Sequence, residues 1–136
     1  MSVTDDEITK MIEAYFAKQS EFDGDSMLGF WQPGGMMYLV GNNNEFRIVT
    51  AEDQAAHVKE AKERVPDLKV HFQIEKIEQA IVHEDLIASV HVRYRMTFPD
   101  GYGKHRCFYN LAKIEGKWRI VNAVDRGFQV MQAEET

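Results

Sequence analysis

Residues 104–128, KHRCFYNLAKIEGKWRIVNAVDRGF, decide the fold. Apolar and polar residues alternate on both sides of Glu115-Gly116, so the stretch reads as two strands closed by a two-residue turn. The turn sets a register. On one face it pairs Ala112 with Arg119, Asn110 with Val121, Phe108 with Ala123 and Arg106 with Asp125. On the other it pairs Lys113 with Trp118, Leu111 with Ile120, Tyr109 with Asn122 and Cys107 with Val124. Both faces are mixed, so hydropathy does not say which one is inside.

Working back from this hairpin, a period of two begins near Val70. Residues 70–83 and 85–98 read as two further long strands. In the second, Leu86, Ala88, Val90, Val92, Tyr94, Met96 and Phe98 form the apolar face. The connections between the four long strands are short, which makes consecutive strands antiparallel neighbours. Upstream lie two short apolar runs, 36–40 and 46–49, around Gly41-Asn42-Asn43-Asn44, and a helix over 51–65 capped by Thr50 and stopped by Pro66. The chain opens with a helix whose stripe is Ile8, Met11, Ile12, Tyr15 and Phe16. Thr4-Asp5-Asp6-Glu7 has capping-box spacing ahead of it. After the Asp23-Gly24-Asp25 turn, Asp25 caps a short second helix carrying Met27, Leu28, Phe30 and Trp31, ended by Pro33-Gly34-Gly35. Helices gathered on one face of an antiparallel sheet make an α+β layer arrangement, a cone with helices across its open side.

The chain has 136 residues, enough for one domain with a real core, here residues 1–136 with an ordered part of about 5–130. No apolar run reaches the length of a membrane span, and the acidic N-terminus lacks the pattern of a secretion signal. Cys107 is the only cysteine, which excludes an internal disulfide and fits a reducing, cytoplasmic compartment. The net charge of −6, without long basic runs, argues against nucleic acid and membrane partners. The five histidines, His57, His71, His83, His91 and His105, show no helical zinc-binding spacing, so neither a metal nor a cofactor is expected.

The element order, the Phe30-Trp31 pair and above all LAKIEGKWRIVN (111–122) resemble the NTF2-like (SnoaL-like, cystatin-like cone) superfamily, closest to its putative lumazine-binding subgroup. The resemblance implies a cone-shaped α+β fold with three N-terminal helices on the concave face of a curved sheet of four long strands plus short ones. It also implies which face lines the pocket. Ketosteroid-isomerase-like relatives carry pocket groups at positions matching Asn110, Val121, Ala123 and Asp125. On that assignment Asn110, Asp125, Arg106, Phe108, Tyr94, Tyr15, Trp31 and Tyr38 are the candidate ligand-binding residues. A bulge near Gly103 brings Tyr94 beside Phe108. The region of the relatives' general base, 36–40, holds no acid, and Tyr15 is out of phase with their catalytic tyrosine. Isomerase activity therefore does not carry over.

Asp125 is the candidate catalytic group, a base or acceptor kept ionised by Arg106; the plain alternative is a cross-strand ion pair at the rim. Asn110 reads either as a donor to a ligand carbonyl or as an inward amide satisfied locally. The aromatics read singly as core and together as a stacking surface. The outer face, with His91, Arg93, Tyr109, Leu111, Trp118 and Ile120, is too apolar for solvent and predicts a sheet-to-sheet homodimer. Three functions stay open. The first is binding of a small, flat, largely apolar molecule. The second is a SnoaL-like isomerase, cyclase or dehydratase using Asp125 as base, with Asn110 or Tyr38 polarising a carbonyl. The third is a dimerisation module without catalysis.

Overall fold

The computed structural model describes residues 6–41, 45–84, 86–99 and 101–132. The elements are α1 (Asp6–Ser20), α2 (Gly24–Leu28), β1 (Trp31–Val40), β2 (Phe46–Thr50), α3 (Ala51–Arg64), β3 (His71–His83), β4 (Ile87–Phe98), β5 (Gly101–Ile114) and β6 (Lys117–Gln132). The six strands form one curved, unclosed sheet in the order β2-β1-β6-β5-β4-β3. β1 pairs antiparallel with β2, and β3 to β6 pair antiparallel in succession, whereas β1 lies parallel to β6, a pairing that the local pattern does not announce. Among the described residues no helix is long and apolar enough to cross a membrane.

α1 buries its stripe, Ile8, Ile12, Tyr15 and Phe16, against the sheet. Thr4 and Asp5 of the expected capping box, and Asn42–Asn44 of the expected turn, lie outside the described residues. α2 is capped by Asp23 rather than Asp25: the Asp23 carboxylate accepts from the backbone N–H and the hydroxyl of Ser26. The helix stops at Leu28, so Trp31 begins a ten-residue strand instead of ending a helix. Pro33-Gly34-Gly35 is a kink within β1. Gly34 takes φ +86, a region that favours glycine, and the pairing with β6 shifts register between Trp31 and Met36. The hydroxyl of Thr50 caps α3 by accepting from Asp53 N–H at 3.0 Å, and small residues Ala51 and Ala55 form its buried face.

Parity across the sheet is set by β4. Ala88, Val90, Val92 and Tyr94 point to the helices, and an unshifted ladder to β5 places Leu111, Tyr109, Cys107 and His105 opposite them. No bulge near Gly103 is needed to turn Tyr94 inward, and Phe108 points the other way. The closing hairpin starts in the expected register, with Lys113 opposite Trp118, Ala112 opposite Arg119 and Leu111 opposite Ile120. Val121 then has no partner. Beyond this bulge Asn110 faces Asn122, Phe108 faces Val124, and Arg106 faces Arg126. One extra residue inverts every side chain after it. The bulge is what lets β6 bury Trp118 and Ile120 before it and Ala123 and Asp125 after it on the same side.

Four residues expected on the outer face, Tyr109, Leu111, Trp118 and Ile120, are therefore core, as is Cys107. Their interior place follows from the β4 parity, which outweighs the local hairpin reading. His91 and Arg93 do lie on the outer face. With them stand Ile87, Phe108, Val121 and Val124, all exposed by more than a third.

Candidate functional site

Between α1, α3 and the sheet a cavity of about 190 Å³ remains open. Its walls come from most of the fold. β1 contributes Met37 and Leu39; β4 contributes Tyr94 and Met96. α1 adds Tyr15 and Gln19, and α3 adds Gln54 and Val58. Phe72, Tyr109, His105 and Asp125 complete it. A wider cleft of about 360 Å³ shares Leu39, Met96, His105 and Asp125 with the cavity and continues past Val40, Arg47 and Phe98. The two spaces meet at the Asp125–His105 corner.

Asp125 is the only Asp, Glu, Lys or Arg in the buried class among the described residues, at 7% exposure. Burying a carboxylate is costly unless it is hydrogen-bonded. Here the Tyr94 hydroxyl donates to Oδ2, and Nδ1 of His105 lies 3.0 Å from Oδ1. The His105 ring also stacks on Tyr94 at 4.9 Å, 15° from parallel, so the three groups brace one another. Burial, and next the Asp125 charge, push the Tyr94 hydroxyl well above its ordinary value. It remains a donor at any ordinary pH. Cys107, opposite Asp125 in the ladder, is pushed up by burial and by the same carboxylate. A neutral thiol without an activating cation is not a nucleophile.

Beside this corner stands an aromatic wall. Tyr15 packs edge-on against Tyr109 at 6.0 Å, and Phe16 against Tyr94 at 4.9 Å. Trp31 Nε1 donates to the Tyr15 hydroxyl at 3.1 Å. Burial pushes the hydroxyls of Tyr15 and Tyr109 up as well. Gln19 Oε1 is buried with no hydrogen-bond partner among the described residues.

Of the expected ligand-binding residues, the cavity brings together Tyr15, Tyr94 and Asp125. Trp31 is buried behind Tyr15 and supports it. Arg106, Phe108, Asn110 and Tyr38 stand on the outer face. Arg106 pairs with Arg126 instead of Asp125, and Phe108, 48% exposed, stacks on His91 at 4.3 Å. The Asn110 amide donates to Asn122 at 2.7 Å and accepts from Ser89 at 3.1 Å, and Tyr38 stacks on Phe46. The ladder to β4 turns Arg106, Phe108 and Asn110 outward, the Val121 bulge keeps Asp125 inward apart from them, and Tyr38 is removed by the alternation that turns Met37 and Leu39 inward.

His105, Gln19, Val58 and Phe72 were not anticipated. The β4–β5 ladder runs unshifted from Phe98 opposite Gly101, which puts His105 opposite Tyr94, so starting β5 at Gly101 reveals His105. Gln19 and Val58 follow from helix faces, one turn along from Tyr15 and from Ala55. Among the described residues no group of three or more His, Cys, Asp and Glu side chains is placed to hold a metal ion.

The fold has many solved counterparts. An NTF2-like protein of unknown function from Shewanella oneidensis is 18% identical with a TM-score of 0.63, over 89% of this chain and 97% of that one. An uncharacterised protein with a cystatin-like fold from Caulobacter vibrioides is 16% identical with a TM-score of 0.69, over 91% of this chain and 89% of that one. A protein from Xanthomonas campestris, titled a putative calcium/calmodulin-dependent protein kinase II association domain, is 18% identical with a TM-score of 0.69, over 89% and 85%. At such identities these likenesses show the fold alone. No functionally curated protein matches the sequence. The sequence model of one family matches residues 3–125, nearly the whole chain. With that match, the chain belongs to the family described as putative lumazine-binding, and its fold is that of the NTF2-like and cystatin-like structures.

Proposed function

We propose that the cone binds one small, flat, largely apolar molecule, with Asp125 as its polar anchor. The observation that carries this reading is the cavity itself, aromatic and aliphatic on most sides with one braced carboxylate at its mouth. Few well-placed polar groups in an apolar concavity are the usual make-up of a ligand site. A cavity of about 150 Å³ takes benzene, so 190 Å³ admits one ring, and a fused second ring extends into the cleft. Lumazine, named in the family description, is a flat fused bicycle of this kind and is the first probe to use. Native mass spectrometry should show a 1:1 complex with the chain. Val58→Trp, which fills the cavity from α3, should abolish it with the fold intact. Equal binding by the filled variant would place the ligand elsewhere.

A second reading is supported by the His105–Asp125 contact. A carboxylate holding an imidazole at the edge of a cavity is an arrangement suited to proton abstraction, as in a SnoaL-like isomerase or dehydratase. Asp125→Asn should then lose turnover and keep affinity. Asn110 and Tyr38 drop out as carbonyl-polarising groups because they face away.

The homodimer now rests on a different set of residues. Ile87, Phe108, Val121 and Val124 form an exposed apolar band on the sheet, suited to an isologous contact with a second copy.

A further inference from the structure

Two of the cavity's polar groups, Asp125 and the Gln19 carbonyl, are acceptors turned to the space between α1 and the sheet. The Asp125 carboxylate meets the Tyr94 hydroxyl at Oδ2, Nδ1 of His105 at Oδ1 and the Cys107 thiol, which leaves one of its roughly four acceptor positions open. Nδ1 of His105 is turned to the Asp125 carboxylate at 3.0 Å. On the helix side, Gln19 Oε1 is buried and has no partner among the described residues. The wall's donors are largely committed. The Tyr94 hydroxyl gives to Asp125, and the Tyr109 hydroxyl is hydrogen-bonded to Cys107. Tyr15 accepts from Trp31 and has its own proton to give, and half-buried Gln54 offers both kinds of atom. One buried acceptor, Gln19 Oε1, stands unmet among the described residues, a condition that native interiors seldom leave unexplained.

We infer that the molecule held in the cone is a planar aromatic whose edge carries N–H or O–H donors, one directed to Asp125 and one to the Gln19 carbonyl. This rests on the proposed cone ligand and narrows it to lactams, imides, amino-heterocycles and phenols. A carboxylate or phosphate facing Asp125 is disfavoured, because it brings a second anion against the buried carboxylate. Purely apolar rings and rings bearing only carbonyls are rejected because they leave Gln19 and Asp125 unanswered. Discrimination of this type is strong, since a site built to receive a hydrogen bond leaves its own polar atom stranded when the donor is missing.

Matched probes of one shape separate the donor from the ring. Indole and benzofuran differ by N–H against O; 2-naphthol and 2-fluoronaphthalene differ by O–H against F. Isothermal titration of the full chain should give the donor member of each pair at least about a tenfold advantage. Gln19→Leu should shrink that advantage severalfold while benzofuran binds at least as well as before, whereas a merely structural role of Gln19 would weaken both members of the pair alike. Circular dichroism checks that this variant is folded. Equal affinity within both pairs, or preference for the donor-free member, overturns the inference and leaves the cone-ligand reading standing. If none of the four probes binds, both fall together.

Discussion

Asp125 is held by neighbours that differ in chemistry, a neutral phenol, an imidazole and a thiol. Removing one donor from a buried acid costs free energy even when the others remain. Tyr94→Phe should therefore destabilise the fold by about 1–3 kcal/mol, read as a lower urea midpoint. The buried acids around it make a second prediction. Cys107, Tyr94, Tyr109 and Tyr15 all titrate higher in the folded chain than in the unfolded one, burial being the leading cause for each. Below the ordinary value of 9.0 for the thiol, both states keep the protons and stability is unaffected. Above it, the unfolded chain releases a proton that the folded chain retains, so stability falls with rising pH. The tyrosines add to the fall above their ordinary value of 10.0. Cys107→Ala should flatten the loss between pH 9 and 10 in urea unfolding; an unchanged slope would contradict it. At this scale the sequence yielded the inward aromatics Tyr15 and Tyr94 and the acid Asp125. It hid Gln19 and His105, whose place depends on helix phase and on where β5 begins.

The hairpin that opens the sequence reading is correct for its first three pairs and inverted afterwards. Val121 is β-branched and apolar, and nothing in its type marks it as the bulged residue. What demands the bulge is non-local. β5 is locked to β4 by twelve successive pairs from Ile87 to Phe98, and β6 is joined to β1 as well as to β5. β6 must serve two neighbours with Trp118, Ile120, Ala123 and Asp125 all turned inward, and strict alternation cannot do that. Deleting Val121 removes the extra residue and leaves Asn122, Ala123 and Asp125 opposite Asn110, Tyr109 and Cys107, so plain alternation then keeps Ala123 and Asp125 inward. The expected result is a chain that still unfolds cooperatively in urea. Loss of cooperative unfolding would show that the bulge serves more than the parity of the strand. The kink at Pro33-Gly34-Gly35 has the same origin. Those residues read as a stop, and β1 runs through them because pairing with β6 outweighs local propensity.

For the whole molecule, period-two runs, short loops and the helix stripes were sufficient for the α+β cone. The parallel union of β1 with β6, which joins the two ends of the sheet's sequence, was not visible because no local signal encodes it. The same bulge that turns Asp125 inward adds Val121 and Val124 to the exposed apolar band, so the cavity's carboxylate and that band share one register. Phe108→Asp should convert a dimer to a monomer in sedimentation equilibrium without changing the circular dichroism spectrum; a wild-type chain already monomeric at high concentration would remove the homodimer. The cone ligand itself is tested most directly by the methionine methyl groups. Met37 and Met96 line the cavity, Met27 is buried away from its walls, and Met11 lines a separate groove beside Phe30 and Trp118. In a methyl NMR titration of the methionine-labelled chain with lumazine, the Met37 and Met96 resonances should shift to saturation while Met27 and Met11 stay in place. Shifts at Met11 alone, or none at Met37 and Met96, would contradict the account.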